Sequence, residues 1–549
     1  MSGNLGRAFM AFCEAKPDDV ALETADGTIR LTRAEYLAFA TAAAERLKDR
    51  PTGDRIVLAL PNGPEFGFWF WACQLLGVVA VPIEPLRAGP RLLHQIDMTR
   101  RIAATAGAAA IVSPSGEAAT ALTVAIPDLA IHSAELEPAT ASISPTTVSG
   151  EDLAFIQFTS GSTGFPKGCA LSHANVIANA QACRETFDVQ PGDLSYAWMP
   201  YHHDMGLMTA MILPVFGRGS IIMDTPRAFV LDPLRWLRLI STRPENVHVS
   251  APNFALALTL KFFERRKPMD LSLDRVQSVI CGAEPIDPQL VRRFYTALEP
   301  LGLSPNSFFA SYGMSETVVL AATQPHGLKT CHADAAALEL EGRFIPATPA
   351  NRSRELICLG RPFRGGDLEI RDGDHALPDR RAGEICLRST SIMQGYYGSP
   401  AATAEVLRDG WLRTGDIGIR IDRELYFVGR RKEIIIVSGQ NFDPHDIELQ
   451  IAEDTGLEAR RLCAVNVDVD GKGSSLLIVV EDHPGTAEAE LTGTIMDIAF
   501  RITGVRPDVT ILKGRRLPRT SSGKLQRDAV AAWHRTGEPV NETTGAKRL

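Results

Sequence analysis

Cysteine is the first scarcity that carries information. Nine cysteines stand singly along 549 residues, an odd number with no Cys-x-x-Cys pair. That leaves no basis for a structural zinc site and fits a reducing, cytoplasmic setting. Positive charge is not in excess either: 57 Lys and Arg face 65 Asp and Glu, a net charge of −8. This argues against nucleic acid as a partner, although a local basic patch stays possible. Met1 to Lys16 lacks a basic stretch followed by an apolar core, so no signal peptide is expected. Long apolar runs are lacking too. The strongest, Phe66 to Val81 (FGFWFWACQLLGVVAV), contains two glycines and Gln74 and ends at Pro82. A membrane-spanning helix needs roughly 20 apolar residues. The run is therefore expected to be a buried helix leading into a buried strand. No internal repeat and no long low-complexity tract is found.

What is present is the composition of a soluble globular protein, 45% hydrophobic and 22% charged. The length is too great for one compact core, so at least two domains are expected. Short β-branched runs at Arg55–Leu60, Val78–Pro82, Ala109–Val112 and Ser220–Met223 read as buried strands. Helical patterns at Ala38–Arg46 and Val176–Cys183 alternate with them. This predicts α/β layers with largely parallel sheets. Gly116 to Val148 reads as strands and loops at a surface. A hinge is expected near Gly429-Arg430-Arg431-Lys432, between a strand at Glu424–Val428 and a new apolar run at Glu433–Val437. Further strands are expected at Val465–Val467 and Leu476–Val480. The division is thus a large unit, residues 1–430, and a small α+β unit, residues 431–549, with a frayed polar end from Thr536 to Leu549.

The densest motif is Phe158-Thr159-Ser160-Gly161-Ser162-Thr163-Gly164-Phe165-Pro166-Lys167-Gly168. A loop of this kind can wrap backbone N–H groups around a polyphosphate, with hydroxyls and the Lys167 ammonium adding to them. No Gly-Lys-Ser/Thr closes it, so it is not a Walker loop. By composition alone it could equally be a flexible surface linker. The ordered string resembles the signature loop of the adenylate-forming superfamily: acyl-CoA synthetases, peptide synthetase adenylation domains, luciferases and fatty acyl-AMP ligases.

Other strings extend that resemblance from about Phe9 to Arg527. Trp198-Met199-Pro200-Tyr201-His202-His203-Asp204-Met205-Gly206 is similar to the family's second motif, and the resemblance implies that His203 forms part of the acyl pocket wall. Val279-Ile280-Cys281-Gly282-Ala283-Glu284-Pro285 resembles the turn that packs on adenine, where Gly282 and Ala283 supply the small residues a flat base needs. Ser311-Tyr312-Gly313-Met314-Ser315-Glu316-Thr317 resembles the next motif. It implies that Tyr312 stacks near adenine and that Glu316 holds Mg²⁺, an ion suited to one carboxylate plus phosphate oxygens and water. Gly410 to Gly418 resembles the ribose motif. Its Asp416, acceptor-only when ionised, can take both ribose hydroxyl protons. The resemblance places Arg430 near ribose or phosphate and makes Lys432 the pivot of the small domain. Leu517 to Arg527 resembles the loop carrying the adenylation lysine, here Lys524. Each of these charged residues, standing alone, reads as a solvated surface group.

The resemblance implies in-line attack of a carboxylate on the α-phosphorus of ATP, with Mg²⁺ and the loop Thr159–Lys167 holding the departing pyrophosphate. Positioning and electrostatics then carry catalysis, with no covalent enzyme intermediate. A charge pair at about 4 Å contributes roughly 4 kcal/mol at an effective dielectric near 20. Two features favour the fatty acyl-AMP ligase branch: the His203-Asp204-Met205-Gly206-Leu207 string, and an apparent insertion from Leu328 to Leu359. Tyr201-His202 departs from that branch's usual Pro-Tyr. Such an insertion restrains the small domain and disfavours transfer to free CoA, so the acceptor implied is the phosphopantetheine thiol of an acyl carrier protein. The same segment could also be a longer surface loop without effect on the acceptor. Apolar walls expected near Trp198–Met208, Val249–Phe254 and Ala310–Met314, with Phe308-Phe309 nearby, suit a medium- or long-chain fatty acid. The competing readings are a fatty acyl-CoA synthetase and a non-catalytic nucleotide-binding homologue.

Overall fold

A computed structural model describes residues 3–87, 89, 92–159, 166–268, 270–437, 440–468, 474–481, 488–514, 516–520 and 523–536. The loop residues Ser160, Gly161, Ser162, Thr163 and Gly164, and the tail beyond Thr536, lie outside the described residues.

Two large sheets build the first 430 residues. The seven-stranded sheet contains β1 (Arg55–Leu58), β2 (Val79–Pro82), β3 (Ala110–Ser113), β4 (Leu153–Thr159) and β5 (Lys167–Ser172). Strands β1 to β4 run parallel, and β5 returns antiparallel to β4. The apolar run is resolved as expected. Helix α1 (Pro64–Leu76) is buried along nearly its whole length. It ends at Gly77, whose φ of +69° gives the left-handed cap that lets the chain turn into β2. Burying each of its large aromatic side chains contributes roughly 1.5–3 kcal/mol. Among the described residues no helix is long and apolar enough to cross a membrane.

The second sheet has a parallel half: β6 (Leu194–Ala197), β7 (Ser220–Met223), β8 (Val247–Ser250), β9 (Val276–Cys281) and β10 (Phe308–Tyr312). It continues through antiparallel strands, among them β11 (Ala322–Gln324), β12 (Thr330–Asp334), β13 (Ser353–Pro362), β14 (Trp411–Ile421) and β15 (Glu424–Arg430). Parallel pairing therefore dominates only the first part of the chain. In this sheet every pairing beyond Tyr312 is antiparallel, whereas the small unit returns to a parallel pair, Ser474–Glu481 with Asp508–Leu512. A second departure from expectation is a helix at Glu117–Ala125, inside a stretch read as strands and loops. Its alanine-rich sequence is a good helix former despite its exposed setting.

Residues after the hinge string have cores of their own. Helix α2 (Pro444–Thr455) and the helix Glu488–Thr503 cover a three-stranded sheet made by Leu462–Asp468, Ser474–Glu481 and Asp508–Leu512. A further apolar cluster on this unit includes Leu517 and Val530.

Candidate active site

The motif residues gather beyond the carboxyl ends of the parallel strands, where open α/β sheets commonly bind ligands. Trp198 to His203 follow β6, Ala251 to Phe254 follow β8, Gly282 to Glu284 follow β9, and Gly313 to Glu316 follow β10. Strands of similar length that end together leave their connecting loops facing one another.

Close backbone approach explains the small residues. A Cβ on Gly282 would stand 2.6 Å from the Ser311 carbonyl oxygen, and one on Gly313 would overlap the Val319 carbonyl. Ala283 has φ +68°. Val318, just after the Glu316 turn, sits at φ +69°, ψ −62°, the strained γ-turn conformation. The Ser311 hydroxyl pairs with Thr323 Oγ1 at 2.9 Å, and Met314 is tied down by Thr317 Oγ1, which donates to its carbonyl at 2.8 Å.

Asp416 anchors one side. It is 3% exposed and paired in register with Arg430 across β14 and β15. Its Oδ2 accepts the Tyr312 hydroxyl at 2.8 Å, and its Oδ1 accepts Arg430 Nε–H at 3.0 Å. Lys524 reaches the same place from the small unit, within electrostatic range of Arg430, Glu433, Asp416 and Glu284. Burial pulls its ammonium pKa down to about 8, with the Arg430 cation adding to the shift and the three carboxylates opposing it. Its loop is closed by Thr520 N–H donating to the Lys524 carbonyl at 2.8 Å and by Arg519 donating to the Gly523 carbonyl at 2.9 Å. Gly523 lies over the Phe254 ring, where a Cβ would meet ring carbons at 3.5 Å. Glu284 accepts the Phe254 N–H at 3.2 Å, and burial raises its pKa. Lys432 is exposed in the turn after Arg430, where Glu433 N–H and Ile434 N–H both donate to the Arg430 carbonyl.

Glu316 and Lys167 form the other side. Thr159 and Lys167 pair at the base of the signature loop, and Thr159 Oγ1 donates to the Lys167 carbonyl at 3.4 Å. Burial raises the Glu316 pKa, with Asp204 and Asp416 adding to it and the Tyr396 phenol opposing it. These carboxylates are hard oxygen donors that repel one another, so a small divalent cation suits the position. Among the described residues no group of three or more His, Cys, Asp or Glu could hold a metal by itself. Remaining ligands would come from phosphate and water, as Mg²⁺ prefers.

His202 and His203 stand with ring centroids 4.6 Å apart. Burial lowers both pKa values, so both rings are neutral near pH 7. His203 precedes a short helix whose continuation, Met208–Ile212, widens into a π-turn, a feature frequent at functional sites. Beside it Trp198 stacks on Phe229 at 3.9 Å and meets Phe254 edge-on. Asp232 is matched by Arg238 and Arg266. Phe308 and Phe309 belong to the core, packed on Tyr295 and on Phe187. Sequence reasoning did not single out Tyr396, Glu433 or Arg354. Their contacts join segments far apart in the chain, and no local pattern marked them.

The segment expected to be an insertion, Leu328 to Leu359, is a folded element. Strand β12, helix α3 (Ala335–Glu341) and β13 place Leu338, Phe344 and Leu356 in a core with Ile419, Ile421, Tyr426 and Val428. Arg354 donates to the Val428 carbonyl and stands 3.3 Å from Asp443 and 2.6 Å from Asp446, at the start of the small unit.

Comparison with known proteins gives a consistent picture. The AMP-binding enzyme family profile matches residues 9–397. A medium-chain-fatty-acid–[acyl-carrier-protein] ligase, JamA of Moorena producens, is 30% identical over 526 residues, covering 89% of this chain and 86% of that protein. A putative acyl-CoA synthetase of Caulobacter vibrioides is 30% identical over 505 residues, covering 88% and 86%. Among solved structures, one from a study of fatty acyl-adenylate ligases of E. coli and L. pneumophila superposes with a TM-score of 0.88 at 26% identity, covering 97% of this chain and 98% of that one.

Proposed function

This chain belongs to the AMP-binding enzyme family, and from that premise we propose that it is a fatty acyl-AMP ligase. It joins a medium- or long-chain fatty acid to AMP, releases pyrophosphate, and passes the acyl group to the thiol of an acyl carrier protein. The observation that carries the reading is the meeting of Tyr312, Asp416, Arg430 and Lys524, from four segments, beside an aromatic apolar wall.

In this reading adenine lies against the backbone at Gly282 and Ala283, where the turn after β9 is held close to the Ser311 carbonyl. Asp416 keeps lone pairs for the two ribose hydroxyls after accepting from Tyr312 and Arg430. Lys524 bridges the attacking carboxylate and the α-phosphate. The fatty acid oxygen bonds to the α-phosphorus, the bond to the bridging oxygen breaks, and pyrophosphate leaves on the Lys167 side. Glu316 would hold Mg²⁺, which neutralises phosphate charge when bound. His203, neutral, borders the acyl group without taking up charge. Residues 1–430 form the adenylation domain and 431–549 the lid, turning about Lys432. Separate apolar clusters before and after the hinge support that division. The position of Lys524 beside Asp416 is the lid orientation for the adenylation step. Nine unpaired cysteines support a cytoplasmic setting.

Product analysis with ATP, Mg²⁺ and labelled dodecanoic acid, with and without CoA, tests the reading. Acyl-AMP is expected in both reactions. Rapid conversion to acyl-CoA would make the protein a synthetase, and neither product would overturn fatty acid activation.

A further inference from the structure

We propose that Tyr396 is a positioning residue that sets the Glu316 carboxylate and the Lys167 ammonium relative to each other on the pyrophosphate side of the site. The inference rests on the reading above, in which these two groups face the metal and phosphates.

The phenol O–H donates to Glu316 Oε1 at 2.7 Å, across 80 positions of sequence. The same ring lies under Lys167, whose Nζ is 4.9 Å from its centroid. The first contact is a charge-assisted hydrogen bond, the second a cation–π contact. Among the aromatic residues only tyrosine puts a hydroxyl at the ring position that meets this carboxylate. Phenylalanine would keep the ring and lose the donor.

The backbone makes the tyrosine a rigid bridge. Residues Gly395 and Tyr396 pair with Ala170 and Cys169 on β5, the strand that begins at Lys167. Tyr397 N–H donates to the Gly168 carbonyl at 2.7 Å, and Gln394 N–H to the Ala170 carbonyl at 2.9 Å. On the other flank Met393 N–H donates to the Glu316 carbonyl at 2.9 Å. The short segment 393–397 is therefore fastened both to the strand leaving the signature loop and to the Glu316 turn. Thr403 Oγ1 accepts the Tyr396 N–H at 2.9 Å and fixes the segment from a third direction. With one carboxylate oxygen held by the phenol, rotation of the Glu316 carboxylate is restricted. Its other oxygen is then directed before any cation arrives, which is how a second layer of contacts tunes a metal ligand.

The test is ATP affinity of the full-length protein with and without Mg²⁺, by titration calorimetry, for wild type, Tyr396→Phe and Tyr396→Leu, together with thermal melting. Mn²⁺ binding followed by electron paramagnetic resonance gives a second readout of the cation alone. In Tyr396→Phe the gain in ATP affinity conferred by Mg²⁺ is expected to fall about tenfold, the effect of losing one hydrogen bond to a charged group. Its metal-free ATP affinity should stay within about twofold, because the ring under Lys167 remains. Tyr396→Leu should lose the same metal-linked gain and, in addition, about threefold in metal-free affinity. A folded Tyr396→Phe protein with unchanged metal-linked affinity overturns the proposal. A wild-type protein whose ATP affinity does not respond to Mg²⁺ overturns it as well. If the expected affinities appear but dodecanoic acid is never adenylated, the substrate reading fails while Tyr396 keeps its role.

Discussion

The Tyr312 hydroxyl donates to Asp416 Oδ2 at 2.8 Å, joining the end of one strand to the middle of another 104 residues later. The second carboxylate oxygen is held by Arg430 Nε at 3.0 Å. Both oxygens are thereby oriented, and each keeps capacity for one more donor. Asp416→Asn would turn an amide N–H₂ toward one of these donors. It is expected to weaken ATP binding ten- to a hundredfold and to cost about 1.5–3 kcal/mol of stability. ATP titration and denaturant unfolding check both. Unchanged ATP affinity would remove Asp416 from the nucleotide site.

Lys524 carries a pH signature. Its pKa is lowered from 10.5 to about 8, so it is cationic only below that value. Adenylation kcat/KM, which follows the free enzyme, is expected to decline as pH rises through about 8. Lys524→Arg should flatten that decline. Lys524→Ala should cut adenylation at least about a hundredfold while leaving ATP binding largely intact, the loss expected for one electrostatic stabiliser. Stability moves the other way. The closed state binds fewer protons than the unfolded chain between about 8 and 10.5, so it gains stability as pH rises through that window. A Lys524→Ala protein that adenylates at full rate would end this assignment.

Gly282 faces backbone, and a backbone oxygen 2.6 Å from a new methyl group has little room to move. Gly282→Ala is expected to spread β9 and β10 at their ends, cost about 1–3 kcal/mol and weaken ATP binding. Chemical denaturation and ATP titration measure the two effects. Wild-type behaviour in both would mean that adenine does not lie against this turn.

Arg354, on β13, forms ion pairs with Asp443 and Asp446 at the start of the small unit. Removing it leaves Asp443 and Asp446 without their cation, and burial already raises the Asp446 pKa to about 7. If the small unit acts as the proposed lid, Arg354→Ala is expected to loosen it and raise the acyl-CoA share of the product severalfold, with adenylation within about threefold of wild type. Deleting residues 330–354 should do the same more strongly, although it strips apolar cover from Ile419, Ile421 and Tyr426. Product ratios with CoA present are the measurement. An unchanged ratio in a folded Arg354→Ala protein would detach the insertion from acceptor choice.

Much of this protein was legible in its sequence because the relevant constraints are local. An apolar run too short for a membrane and ending in proline had to be a buried helix and strand, and it is α1 and β2. Gly282 stands where the neighbouring strand's backbone, and Gly313 where the loop backbone at Val319, comes too close for a side chain, so their types are written into the motifs. The α/β alternation in the first part of the chain likewise followed from short β-branched runs between helical ones. The change to antiparallel pairing beyond Tyr312 was not visible, since pairing direction depends on which strands meet. The same holds for the chemistry. Charged residues could be named one by one, but the sequence could not say that Asp416 would be shared by Tyr312 and Arg430, or that Lys524 would lose enough water to bring its pKa near 8. Nor could it show that Tyr396 would span Glu316 and Lys167, or that Arg354 would reach Asp446 of the small unit. Those facts depend on burial and on partners far apart in the chain. Only the packed tertiary structure sets the dielectric around a group and the distance to its neighbour.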